Sequence, residues 1–356
     1  MKQYFKGHEK AIIVDTAGPV LTKEEFDLFR SEKPLGFILF QRHCVSPEQI
    51  KKLIVDLRDA VENPYAPILI DQEGGTVARL KSPVFHEFPS ARLFGELAEK
   101  DAKAACDAVR VNARLMAEQL RELGITVNCA PVCDVPSPDC HGFLATHRTY
   151  SRDVELVTMM SDAVCQGLLE GGITPVIKHI PGHGRGKVDS HYGLPEVDAP
   201  LVELQTVDFI PFTEISEKPY AEGVWAMAAH VLYPALDDQK PASTSAKLVD
   251  GFIRHPDMIG FEGVLIADDI SMKALKGTPA EMVDATLGAG MDLTMLCNGS
   301  FDAKKEALAR CKALHVDALD RLNKAENIRQ NYQRTPISFD QDYAHIQSLV
   351  NNRKIA

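Results

Sequence analysis

The chain has 356 residues, of which 45% are hydrophobic, enough to bury a sizeable core in one large domain or two ordinary ones. Its formal net charge of -11 argues against a nucleic-acid partner or an anionic membrane surface, although an acidic protein can still keep a local basic pocket for a small anion. The first ten residues lack the apolar core and small-residue cleavage site of a signal peptide, and no segment approaches the roughly 20 apolar residues of a membrane span. The eight cysteines are scattered without a CxxC pair or a credible zinc spacing, so a reduced, cytoplasmic compartment with no metal and no cofactor is expected.

Short apolar runs, each closed by a polar, Gly- or Pro-bearing turn, recur along the chain. They are Ala11 to Val14 before Asp15, Gly36 to Phe40 before Gln41-Arg42, Pro67 to Ile70 before Asp71, and Thr126 to Pro131. Pro175 to Lys178, Gly223 to Ala228 before His230, Gly263 to Ala267 before Asp268, and Met291 to Leu296 follow. Helical patterns lie between most of them. Ser46-Pro47-Glu48-Gln49 reads as a capping box with proline at the first helical position, and Ile50, Leu53, Ile54, Leu57 and Val61 then share one face. Further helices are expected over about 101–123, 153–169, 201–216, 244–255 and 279–287.

Apolar strands alternating with amphipathic helices imply a parallel sheet covered on its outside. Eight units in roughly 300 residues suit a single (β/α)8 TIM-type barrel better than two open sheets. The polar residues that end these strands (Asp15, Asp71, Lys178, His179, His230, Asp268) would then converge on one mouth. Residues 1–300 are read as the catalytic barrel. Residues 301–356 are read as charged helices, over about 302–314 and 317–333, and a polar tail after Pro336, packed on the same domain.

Three stretches concentrate the chemistry. Lys178-His179-Ile180-Pro181-Gly182-His183-Gly184-Arg185-Gly186 leaves the fifth strand as a glycine-rich loop that closes on Asp189-Ser190-His191. A carboxylate two residues from an imidazole can fold back on it, fix its tautomer and leave the other nitrogen to carry a proton. The same residues also suit a solvated loop of turn formers. Asp71-Gln72-Glu73-Gly74-Gly75-Thr76-Val77-Ala78-Arg79 offers a strand-end carboxylate for sugar hydroxyls and a glycine turn that would return Arg79 to the mouth. Asp268 ends the seventh strand as a candidate nucleophile, with Asp269 the better candidate for a helix cap. Arg148 follows a long loop of the kind that builds substrate walls, His230 alone suits a core position, and Trp225 reads as core.

Lys-His-Ile-Pro-Gly-His-Gly with Asp-Ser-His, Asp-Gln-Glu-Gly-Gly-x-Val-x-Arg and Ala-Asp-Asp-Ile-Ser-Met resemble, in the same order, the motifs of glycoside hydrolase family 3 β-N-acetylglucosaminidases, the NagZ type. The resemblance runs from about Asp15 to Asn298. Ala267 stands where the family usually has serine, Ile180 where phenylalanine is common, and Thr146-His147-Arg148-Thr149-Tyr150 where a Gly-Glu-Arg-Ser-Tyr-like run is usual. The resemblance implies a retaining exo-glycosidase with Asp268 as nucleophile and His191, oriented by Asp189, as acid/base. Asp71, Arg79, Arg148, Lys178 and His179 would hold the N-acetylglucosamine ring. It further implies a cytoplasmic, monomeric enzyme acting on peptidoglycan turnover fragments of the anhydromuropeptide kind, with no nucleic-acid or membrane partner. A phosphorylase using phosphate in place of water, a metal hydrolase built on His179, His183, His191 and Asp268, and a non-catalytic sugar-binding protein are the alternatives.

Overall fold

The computed structural model describes residues 2–188 and 193–351. Eight parallel strands close into a barrel in chain order: β1 (Lys10–Val14), β2 (Pro34–Leu39), β3 (Ile68–Ile70), β4 (Val127–Asn128), β5 (Thr174–Ile180), β6 (Trp225–Ala228), β7 (Val264–Asp269) and β8 (Leu293–Leu296). The last strand pairs with the first, Ile13 opposite Met295, so no sheet edge remains. This is the expected (β/α)8 barrel.

β4 is shorter than the apolar run that announces it. Pro131 has no N–H to give to a ladder. The edge is nevertheless held, because Val176 and Lys178 donate their N–H groups to the carbonyls of Ala130 and Pro131 at 3.0 and 3.1 Å, and Cys133 donates to Lys178 at 2.7 Å. β5 is longer than expected and carries Lys178 and His179 within the strand itself.

Capping residues set the helix starts. Thr22 and Glu25 form a reciprocal box before Lys23–Glu32, and Thr278 and Glu281 form another before Pro279–Gly288. The box expected at Ser46 is half closed. Ser46 accepts from the Gln49 N–H at 3.2 Å, but the Gln49 amide turns to the Val45 N–H and the Pro19 carbonyl, joining two rim loops.

Two expected helices are broken. The stretch 201–216 splits into Leu201–Glu203 and Ile210–Ser216, joined by a wide turn in which Phe209 N–H reaches back to Leu204. In 244–255 a similar wide turn runs from Val249 to Arg254. A helix at Ala91–Ala98 was not expected, and the region after Pro336 forms a helix, Phe339–Asn351, that packs on the long helix Ala102–Leu123. Among the described residues no helix is long and apolar enough to cross a membrane.

Candidate active site

The C-terminal ends of β2, β3, β5, β6, β7 and β8 surround a cavity of about 370 Å³, within the ordinary size range of small-ligand sites. Asp71, Arg79, Arg148, Lys178, His179 and Asp268 all line it. Residues separated by nearly two hundred positions thus share one cup. Asp189 and His191 lie outside the described residues.

The wall on the β3 side is built by Gln72. Its fully buried side-chain carbonyl accepts the N–H groups of Arg79 and Leu80 at 2.9 and 3.1 Å, closing the loop between them. The loop can turn this sharply because Gly74 has φ +100° and sits where a Cβ would lie 2.2 Å from the Pro89 carbonyl. Arg79 is thereby returned to the strand end, where Nη2 donates to Asp71 Oδ2 at 2.8 Å. Arg79 and Arg42 also lie against the Phe40 ring, at 5.3 and 5.0 Å from its centroid.

Lys178 projects from β5 between two carboxylates, 3.1 Å from Asp71 Oδ1 and 2.7 Å from Glu73 Oε1. Glu73 also grips Arg148 through two bonds, Nε to Oε2 at 2.9 Å and Nη2 to Oε1 at 2.8 Å. Burial alone would raise the Glu73 carboxyl, but the charges of Arg148 and Lys178 outweigh it and hold the group at about 2. Asp71 is held well below the usual carboxylate range, Lys178 and Arg79 together outweighing its burial. Lys178 answers in kind: burial would lower it, and Glu73 and Asp71 raise it above the ordinary lysine value.

Beside it, His179 Nδ1 donates to the fully buried Asp134 at 2.7 Å, so in the neutral ring Nε2 is the acceptor. Asp134 Oδ1 also accepts the N–H groups of His179 and His183, at 3.2 and 2.6 Å. Burial would raise Asp134, and His179 and His183 bring it down to about 2. The His183 ring edges His179 with centroids 5.7 Å apart, and burial lowers it to about 4, leaving it neutral near neutrality.

On the β7 side Asp268 faces the same cavity and accepts the Asp269 N–H at 2.8 Å. Burial would raise its carboxyl, and His230, His179, that backbone N–H and Lys178 lower it below the ordinary range. Lys178 and the N–H dipole persist at neutral pH, whereas burial pushes His230 itself down. Asp268 is therefore an ionised, half-buried carboxylate on the cavity wall, the state a nucleophile requires. Asp269 does not cap a helix, since the next one begins only at Pro279. It staples two strand ends instead, accepting from Ser271 N–H at 3.0 Å and Cys297 N–H at 2.9 Å, and burial pushes it up to about 6.

Two strand-end residues expected at the mouth do not line the cavity. Asp15 is sealed between Arg42, Lys304 and the Asn298 N–H. His230 lies between Ser243 Oγ and the Asp269 carbonyl, at 2.7 and 3.0 Å. Trp225 is core, as expected. Glu73 and Asp134 were missed. Glu73 stands inside a motif already singled out, and Asp134 follows the apolar stretch after β4, so a search for buried carboxylates beside strand-end cations would have reached both.

The glycine-rich loop is held firmly at its start. Tyr233 donates to the Gly182 carbonyl at 2.8 Å, and Ser137 and His141 N–H groups donate to the carbonyls of Gly184 and Gly186 at 2.8 and 2.9 Å. A Cβ on Gly184 would lie 1.9 Å from the Val135 carbonyl. The glycine there allows close packing of the two segments.

A parallel barrel with ionised carboxylates, cations and a histidine at its C-terminal mouth is the architecture of a barrel enzyme, and the family match makes it a glycoside hydrolase. Residues 22–333 match the glycosyl hydrolase family 3 N-terminal domain, and the chain belongs to that family. It is 35% identical over 305 residues to a β-hexosaminidase of Chromobacterium violaceum, covering 84% of this chain and 82% of the relative. A β-hexosaminidase of Methylobacillus flagellatus is 31% identical over 338 residues, 94% and 93% of the two chains. The crystal structure of NagZ from Neisseria gonorrhoeae in complex with N-trifluoroacetyl-D-glucosamine superposes with a TM-score of 0.83 at 29% identity, covering 96% of this chain and 98% of that one.

Proposed function

We propose that this glycoside hydrolase is a retaining exo-β-N-acetylglucosaminidase that removes terminal β-linked N-acetylglucosamine from peptidoglycan turnover fragments of the anhydromuropeptide kind, in the cytoplasm and as a monomer. The observation that carries the reading is the ionised, half-buried Asp268 across one small cavity from the Lys178–Asp71 pair and His179. That cavity is closed below by the barrel, which suits a single terminal sugar.

Each group has a role that its chemistry supports. Asp71 supplies an acceptor and Lys178, Arg79 and Arg148 supply donors to the sugar ring, and His179 presents Nε2. In the first step the Asp268 carboxylate attacks C1 as His191, oriented by Asp189, protonates the departing glycosidic oxygen. The C1–O bond breaks and a glycosyl ester forms. In the second step neutral His191 takes a proton from water, whose oxygen attacks C1 and frees Asp268. Imidazole, with a reference value of about 6.5, can both give and take the proton near neutrality.

The test is turnover of an aryl β-N-acetylglucosaminide by wild type, Asp268→Ala and His191→Ala. Wild type is expected to release the aryl alcohol, and Asp268→Ala to lose nearly all activity. Near-normal activity in Asp268→Ala would end the reading. Release of sugar-1-phosphate in phosphate buffer would replace it with a phosphorylase.

A further inference from the structure

Five charged side chains cross the cavity wall in alternating order: Arg79, Asp71, Lys178, Glu73 and Arg148. They come from β3, its loop, β5 and the segment after the helix Gly142–His147, so no local rule of the sequence sets their spacing. Glu73 is the member that touches two cations through three close contacts, and its side chain is 6% exposed. It borders the cavity beside the cations it grips.

We propose that Glu73 is a positioning residue for sugar binding: it holds the Lys178 ammonium and the Arg148 guanidinium in the places from which they meet the ring. This rests on the reading that the sugar lies against Lys178 and Arg148.

The physical case starts from Lys178. An ammonium on four methylenes has many rotamers and three N–H donors. Asp71 takes one donor and Glu73 a second, which fixes the head and leaves the third to point at a ligand. With Asp71 alone the head would pivot about one contact. Arg148 is a planar fork, and engagement of Nε and Nη2 by one carboxylate fixes the rotation of the whole plane. Glu73 thus orders two long side chains before any sugar arrives, so binding does not have to order them. The charge balance points the same way. Three cations share Glu73 and Asp71, and removal of Glu73 takes one of these two negative charges from the wall. That excess positive charge would draw Asp71 toward its neighbours and away from a hydroxyl.

The experiment compares wild type, Glu73→Gln and Glu73→Asp. The readouts are calorimetric binding of N-acetylglucosamine, the kinetics of an aryl β-N-acetylglucosaminide, and thermal melting. Glutamine keeps the shape and loses the charge, whereas aspartate keeps the charge and cannot span both cations. For both variants we expect the dissociation constant of N-acetylglucosamine and KM to rise together by about tenfold or more, with kcat changed by less than about threefold. The alkaline rise in KM should begin at lower pH in Glu73→Gln, because Glu73 helps to hold Lys178 above its ordinary range. Glu73→Gln and Arg148→Gln combined should weaken binding by less than the product of the two single effects, the remaining loss passing through Lys178. A lower melting temperature with unchanged binding and KM in whichever variant folds would show a merely structural carboxylate and overturn the proposal. Failure of the wild type to turn over the glycoside would strike at the sugar reading instead, and the calorimetric comparison separates the two.

Discussion

Asp15 and Asp71 each follow an apolar barrel strand, and each is paired with one arginine and one lysine. From the sequence they are the same signal, yet they do different work. Asp15 is fully buried, clasped by Arg42, Lys304 and the Asn298 N–H, and it closes β1 against the segment after β8. Asp71 keeps 16% of its side chain open and borders the cavity. What separates them is the third partner. A backbone N–H from just past the neighbouring strand β8 seals Asp15, whereas the chain at Asp71 turns away through Gly74 and leaves one face open. A strand-end carboxylate becomes a binding group when its surroundings leave lone pairs without a protein partner.

Substitutions should pull these two regions apart. The largest effect is expected at neither aspartate but at Asp268, where alanine should lower kcat by about 10⁴-fold or more with the melting temperature nearly unchanged, read by turnover and by calorimetry. Asp15→Asn comes next and should act on folding alone. It leaves the buried Lys304 short of its counter-charge and should cost about 3–5 kcal/mol in denaturant unfolding, with KM of the surviving folded enzyme unaltered. Asp71→Asn should show the reverse, a loss of about 10–100-fold in kcat/KM through KM, with a smaller loss of stability because Lys178 retains Glu73. Matching effects on stability and KM at the two positions would erase the distinction.

Acid should sharpen it further. Glu73 lies at about 2 in the folded protein, below the ordinary glutamate value of about 4.3, so its contribution is present above that ordinary value. It is lost as pH falls through the folded value, a window between about pH 4 and 2 worth on the order of 3 kcal/mol. Glu73→Gln should flatten this part of the acid unfolding curve. The smallest effect is expected at Thr22→Ala, far from the chemistry, where loss of the cap should cost about 1 kcal/mol and leave turnover intact.

The barrel was legible because its signal repeats. Eight apolar runs with capped amphipathic helices between them leave little choice of topology once parallel pairing is accepted. Breaks in that pattern were not legible. The wide turns at Leu204 and Val249 and the half-closed box at Ser46 depend on tertiary partners such as Pro19, not on local spacing. The gathering of 71, 178 and 268 followed from the topology, since strand ends of one barrel must meet, whereas 79 and 148 reach the mouth on loops and were assigned to the sugar site by the family resemblance. Glu73 and Asp134 did not follow, because their importance lies in which cation each faces, and no periodicity encodes that. The packing role of Gly184 was hidden for the same reason: the neighbour that forbids a Cβ there is the Val135 carbonyl, on another loop.

The direct test of the central claim is to trap the covalent step. His191→Ala, given an activated aryl β-N-acetylglucosaminide, should release a burst of aryl alcohol and then stall as a glycosyl ester, because water no longer has its base. Mass spectrometry of a rapid acid-quenched digest should then find the sugar on the peptide that carries Asp268. A burst with the sugar on a different carboxylate, or steady turnover with no adduct and inverted stereochemistry at C1, would contradict the account.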